Sequence, residues 1–203
     1  MPDFSSYPFE KHGLEVSFEA REKFARYAAL LTKWQKAINL VGADTMENML
    51  ERHFLDSAQI FPFLPDKNIR LADMGSGAGF PGMVLAILDI FDVHLIESDL
   101  RKATFLREVS RETNTPVTIH DDRVEDVSIE NLNVVTARAL APLKDLLRMA
   151  HYLKSPRCIF LKGEKTEEEI EKAKKEWNFD LSMHTSITDF RSKVLIINNL
   201  IKK

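Results

Sequence analysis

Two hydrophobic periods divide this chain. From Ser17 the apolar residues Phe24, Tyr27, Ala28, Leu31, Trp34 and Ile38 recur every three or four positions, which predicts a long amphipathic helix. Its other face carries Arg21, Lys23, Arg26, Lys33 and Lys36, with few acids beyond Glu19 and Glu22. That face reads as solvated surface, with a nucleic-acid contact as the competing reading. A second helix is predicted from Thr45, burying Met49, Leu50, His53, Phe54 and Ala58 and ending over residues 61–65. Arg52, His53 and Asp56 fall within about one turn of each other in it, close enough to bond mutually. The residues before Gly13, with Pro2, Ser5, Ser6 and Pro8, read as an irregular arm.

From Ile69 the pattern becomes short apolar runs separated by helical stretches. Ile69, Leu71, Ala72 and Met74 predict a strand buried on both faces. Further strands are predicted over 93–96, 117–119, 133–138 and 157–161, with helices over 83–90, 101–112, after Ala141-Pro142, and over 164–177. Two last strands, 181–187 and 193–201, form a hairpin through residues 188–192. The alternation predicts an α/β fold, a mostly parallel Rossmann-like sheet closed by a C-terminal antiparallel hairpin. An arm and helical extension over 1–65 precede this α/β domain, which occupies 66–203 as one compact unit.

Between the first strand and its helix, Asp73 is followed by Gly75, Ser76, Gly77, Gly79, Phe80, Pro81 and Gly82. Such a loop turns sharply and lets a ligand lie against main-chain amides. A dinucleotide fingerprint wants its third glycine or alanine where Phe80 stands, which weakens a nicotinamide reading. Asp73 ends the strand with a carboxylate placed to meet a ligand ammonium. The Asp-x-Gly-x-Gly-x-Gly pattern resembles the first motif of class I S-adenosylmethionine-dependent methyltransferases. Glu97, ending the second strand, is placed to accept from two vicinal ribose hydroxyls. Topology brings residues 121–125 to the carboxyl edge, where an adenine would lie.

Composition narrows the classes. At 203 residues with 44% hydrophobic and 29% charged positions, the chain reads as a globular protein with one substantial core. No signal-like or membrane-spanning run occurs, which predicts a cytoplasmic protein without a membrane partner. Cys158 is the single cysteine and the histidines show no zinc-like pairing, so neither disulfide nor metal is expected. A net charge of -3 argues against a protein that coats nucleic acid indiscriminately, though it leaves room for a local basic face.

Several segments together resemble one family, the bacterial small-subunit ribosomal RNA guanine-N7 methyltransferases known as RsmG or GidB. They are Lys33-Trp34-Gln35-Lys36-Ala37-Ile38-Asn39-Leu40, Arg52-His53-Phe54-Leu55-Asp56-Ser57, the glycine loop through Gly82, Arg123-Val124-Glu125, Thr136-Ala137-Arg138-Ala139-Leu140-Ala141-Pro142-Leu143 and Leu161-Lys162-Gly163. Val41, Gln35 and Glu97 depart from residues common in the family. The resemblance implies S-adenosylmethionine against Gly75, Phe80, Val124, Glu125 and Arg138, beside the Asp73, Ser76, Gly77, Gly79 and Glu97 read above. It implies RNA contacts through Arg52, His53, Lys102, Arg123 and Lys162. The acceptor it implies is N7 of a specific guanine, guanine 527, in 16S ribosomal RNA near the decoding centre, free or within the small subunit. No DNA partner is expected, and the enzyme is read as a monomer. N7 is a lone-pair acceptor without a proton, so no general base is expected, and Arg123 and Lys162 would position the base through O6 or a phosphate. The competing readings are a nicotinamide-dependent oxidoreductase and a non-catalytic RNA-binding module of the same fold.

Overall fold

The structure, a computed structural model, describes residues 2–203. Seven strands form one sheet in the order β3-β2-β1-β4-β5-β7-β6. They are β1 (Arg70–Met74), β2 (Asp92–Ile96), β3 (Thr118–His120), β4 (Val134–Arg138), β5 (Arg157–Lys162), β6 (Trp177–Thr185) and β7 (Lys193–Lys202). β1 to β5 are mutually parallel, while β7 runs antiparallel to both β5 and β6. The helices are α1 (Phe18–Trp34), α2 (Asp56–Ala58), α3 (Gly82–Ile87), α4 (Leu100–Thr113), α5 (Leu143–Tyr152) and α6 (Thr166–Ala173). This is the predicted mostly parallel sheet with its antiparallel C-terminal hairpin.

Both faces of the sheet are covered, which is why Leu71, Ala72 and Met74 of β1 are all fully buried. Leu71, Leu95, Ile159 and Val194 face a core built with Phe24 and Leu31 of α1, Leu85 of α3 and Phe105 of α4. Ala72, Ile96, Val135 and Phe160 point the other way, onto Leu146 and Leu147 of α5 and Ile170 of α6. Adjacent positions on a strand face opposite sides, so each strand contributes to both cores. Among the described residues no helix is long and apolar enough to cross a membrane.

Three predicted elements differ from those observed. The helix expected from Thr45 is instead a π-helical segment, Leu50–Leu55, running into the single α-turn of α2. It buries His53, Phe54 and Leu55 in succession, more than one face of an α-helix supplies, and its turn is widened accordingly. The charged helix expected over 164–177 stops at Ala173, because Trp177 opens β6 and pairs with Lys202. β6 therefore starts and ends earlier than the pattern indicated, since most of its side chains past Asn178 are exposed or half-buried on the sheet's edge.

The arm preceding α1 is not loose. Phe4, Phe9, Leu14 and Val16 are buried, and Phe4 meets the ring of Phe54 edge-on at 4.8 Å. The Arg21 guanidinium donates to the carbonyls of Phe4 at 3.1 Å and Tyr7 at 2.6 Å and pairs with Glu10 at 2.6 Å. Ser17 caps α1 as predicted, accepting from the Ala20 amide at 3.1 Å.

Tyr27 connects α1 to the glycine loop. Its fully buried hydroxyl donates to the Ala78 carbonyl, and its ring stacks on Phe80 at 5.3 Å. Tyr27→Phe strands that carbonyl without a donor, so it should cost about 1–3 kcal/mol of stability. The check is urea unfolding, where the midpoint should fall while the slope stays constant.

Candidate active site

The site begins where β1 ends. The backbone turns through Gly75 at φ +61° and Gly79 at φ +96°. A Cβ on Gly79 would lie 2.5 Å from the Tyr27 hydroxyl and 3.0 Å from Met83, whereas one on Gly77 would meet little but the Gly75 carbonyl at 3.9 Å. Gly79 is therefore required by packing, and Gly77 faces open space. The loop is held from behind: the Ser76 amide donates to the Ile96 carbonyl at 3.0 Å, and the Gly79 amide to the Ser76 carbonyl at 2.7 Å.

Loops at the carboxyl ends of the parallel strands converge on a cleft of about 890 Å³. The structure brings Gly75, Ser76, Gly77, Phe80, Glu97, Val124, Glu125 and Arg138 together on its wall. Arg52, His53, Lys102, Arg123 and Lys162 line it as well. Those on loops after the strands meet because β1, β2, β3, β4 and β5 all end at this edge, while Arg52 and His53 come from the π-helical segment that packs against it.

Glu97 is nearly buried, and its two oxygens accept from the Gly77 amide and the Asp99 amide, each at 2.8 Å. It fixes the glycine loop to the turn before α4 while its carboxylate borders the cleft. Asp99 caps α4 by accepting from the Arg101 and Lys102 amides, so Lys102 is presented from a defined first turn. Neither the Lys102 ammonium nor the Arg123 guanidinium has a side-chain partner among the described residues.

Two predicted cofactor contacts are placed elsewhere. Asp73 is fully buried and does not line the cleft; its carboxylate accepts from the Thr136 hydroxyl at 2.9 Å and the Gly82 amide at 3.1 Å. It anchors the loop to β4 and to the start of α3 instead of meeting a ligand ammonium. Burial raises its pKa to about 6 despite those hydrogen bonds. Gly79 likewise lies behind the loop, against Tyr27.

Two predicted RNA contacts are also tied inward. His53 is 5% exposed; its Nδ1 lies 3.1 Å from an Arg138 nitrogen and its Nε2 2.8 Å from the Thr45 hydroxyl. The Thr45 hydroxyl donates to the Gly42 carbonyl at 2.6 Å, so His53 is neutral with its proton on Nε2. Burial, with the Arg138 and Arg52 charges, brings its pKa down to about 3. The Lys162 ammonium donates to the Ala141 carbonyl at 2.9 Å and pairs with Glu169 at 2.7 Å. Glu169 accepts from the Leu143 amide as well, so this pair clamps residues 139–143 at the cleft.

Sequence reasoning missed a junction around Arg138. Its guanidinium donates to the Arg52 carbonyl at 2.9 Å and Asp56 at 3.2 Å, and lies 4.9 Å from the centre of the Phe80 ring. Asp56 also accepts from the Thr188 hydroxyl at 2.8 Å, which brings the β6–β7 loop to the cleft. The Arg52, His53 and Asp56 spacing was the one available signal. The loop from Thr188 to Ser192 had none beyond topology.

The buried pair Asp73 and His53 sets opposing pH dependences. Asp73 binds its proton more tightly folded than unfolded, so it favours folding below about pH 4 and loses that contribution as pH rises to about 6. His53 refuses a proton that the unfolded chain takes up, so stability falls as pH drops from about 6.5 towards 3. Asp73→Asn should expose the His53 slope, up to about 1.4 kcal/mol lost per pH unit on acidification. His53→Gln should expose the reverse slope between pH 6 and 4. Urea unfolding across this range checks both, and parallel profiles for the two variants would contradict the assignment.

The comparisons with known proteins agree with this architecture. A family described as GidB, rRNA small subunit methyltransferase G, matches residues 20–199. The ribosomal RNA small subunit methyltransferase G of Paramagnetospirillum magneticum is 52% identical over 176 residues, covering 86% of each chain. That of Rhodospirillum centenum is 44% identical over 201 residues, covering 98% of this chain and 93% of its own. Among solved structures, magnesium protoporphyrin IX methyltransferase from Synechocystis PCC 6803 with bound SAM aligns at TM-score 0.61 and 12% identity, over 91% of this chain and 99% of that one. Such low identity speaks for the fold alone, whereas the family match spans most of the chain and includes every strand through β6. The chain belongs to the rRNA small subunit methyltransferase G family.

Proposed function

We propose that this chain transfers a methyl group from S-adenosylmethionine to N7 of a guanine in 16S ribosomal RNA, the guanine 527 of the family resemblance. The observation that carries the reading is the single cleft shared by the open glycine loop, the Glu97 carboxylate and an unpaired basic rim. The residues present suit the cofactor. Gly77 leaves room for a ligand against the loop, Glu97 has lone pairs left for ribose hydroxyls, and Val124 supplies an apolar wall for adenine. When bound, S-adenosylmethionine supplies an electrophilic methyl group on a positively charged sulfur.

The protein's part is to place and orient the acceptor. N7 carries a lone pair and no proton, so a group to remove one is not needed. His53 fits this, since both its ring nitrogens are already engaged. Alignment in a confined cleft accounts for about 7–11 kcal/mol of barrier in favourable cases. Arg123 and Lys102 are free to hold O6 or a neighbouring phosphate, while Lys162, with one donor left over, chiefly keeps residues 139–143 in place. A cation on O6 or a phosphate orients the base without opposing the positive charge that develops on the purine. The groove of an A-form helix hides N7, which favours an unstacked guanine in folded RNA.

The test is transfer of tritiated methyl from S-adenosylmethionine to purified small ribosomal subunits and to their free RNA, followed by nucleoside analysis. Wild type should yield N7-methylguanosine. Gly75→Asp should yield none, because a side chain at φ +61° would start 2.3 Å from a Leu140 methyl. Cofactor binding without transfer to either RNA form would reject the RNA acceptor. Glu97→Gln should weaken S-adenosylmethionine binding about 10- to 150-fold by calorimetry, since it breaks a charged clamp on the loop.

A further inference from the structure

Phe190 is an aromatic ring left largely in water. It is 78% exposed, at the corner of a turn closed by the Ser192 amide donating to the Asp189 carbonyl at 2.9 Å. The turn is rigid. Asp189 accepts from the Arg191 amide at 3.0 Å, and its carboxylate also meets the Arg191 guanidinium. The preceding residues are tied to the helical extension: the Thr188 hydroxyl donates to Asp56 at 2.8 Å, and the Ile187 amide to the Gln59 side chain at 3.0 Å. Thr188, Asp189 and Ser192, on either side of Phe190 in this turn, line the cleft.

Position separates Phe190 from the other exposed phenylalanines. Phe91 precedes β2 and so lies at the amino edge of the sheet, away from the cleft, and Phe18 opens α1. Phe190 stands at the carboxyl edge, because Lys193 at the start of β7 pairs with Lys162 at the end of β5. One cation lies beside it, the Arg191 guanidinium at 5.9 Å from its ring centre, and Arg52, half exposed, reaches the adjacent Asp189 at 3.8 Å. An exposed aromatic ring beside Arg191 at the mouth of a cleft, with Arg52 near by on Asp189, matches single-stranded RNA, whose bases stack on rings while phosphates meet guanidinium groups.

We propose that Phe190 is an RNA-stacking residue, with a nucleotide flanking the target guanine lying on its ring. This rests on the methyl-transfer reading above and adds to it the residue that helps select the acceptor strand. The hydrogen-bonded turn sets where the backbone presents the ring, so the ordering cost of stacking falls mainly on the side chain.

Methylation kinetics on small ribosomal subunits or their RNA, together with fluorescence, test it. Phe190→Ala should raise KM for RNA about 5- to 150-fold. Its kcat, S-adenosylmethionine affinity and unfolding midpoint should stay near wild type, as the side chain is exposed and outside the cofactor wall. Phe190→Trp should restore KM, and RNA should quench its emission beyond the response of Trp34 and Trp177 in wild type. An unchanged KM for Phe190→Ala, with wild type active, would overturn the proposal. So would full rescue by Phe190→Leu, which points to an apolar protein contact instead of a base. Failure of wild type to methylate either RNA form would count against the functional reading, and quenching of the Phe190→Trp protein by that RNA would then decide the stacking role.

Discussion

Asp73 sits without solvent exposure at the carboxyl end of β1, and its two oxygens join separate pieces of chain, the Thr136 hydroxyl of β4 and the Gly82 amide that begins α3. The spacing of the glycine loop follows from that contact. A Cβ on Gly82 would lie 2.6 Å from the Asp73 Cβ, so helix and carboxylate approach only if the residue there is glycine. A buried carboxylate is costly unless donors surround it, and burial raises the Asp73 pKa even with these hydrogen bonds in place. With the loop pinned from behind, its front is left for a ligand.

A second layer of contacts makes the N-terminal segment part of the site. The Phe80 ring is stacked by Tyr27 at 5.3 Å and His53 at 5.1 Å and lies under the Arg138 guanidinium. These residues come from α1, the π-helical segment, the glycine loop and β4. Asp56 extends the same network to Thr188, so helical extension, glycine loop and C-terminal hairpin are bonded through neighbouring groups. Close contacts of this kind couple energetically, which means substitutions in α1 or the hairpin act on the cleft without touching a ligand.

Lys162 shows how such networks redirect a side chain. In sequence it is a lysine at the end of a strand, free to meet a phosphate. In the fold, Glu169 of α6 approaches to 2.7 Å and makes the lysine a clamp on residues 139–143. Arg123 and Lys102 acquire no such partner and stay available on the rim.

The sequence alone determined the strand, loop and helix at residues 69–82, the alternation of strands and helices, and the closing hairpin, because local periodicity and glycine spacing encode them. It also marked Glu97, Val124 and Glu125, whose positions after strands bring them to the carboxyl edge, and, through the family resemblance, Arg138 at the end of β4. Edges and depth were not legible. The start of β6 at Trp177 depends on pairing with Lys202, and the π turn at Leu50–Leu55 on burial of successive residues. The inward turn of Asp73, His53 and Lys162 likewise depends on partners distant in sequence: Thr136, Arg138 and Glu169. Periodicity reports which face of an element is apolar, but which polar group is satisfied by which other is settled only when the elements pack.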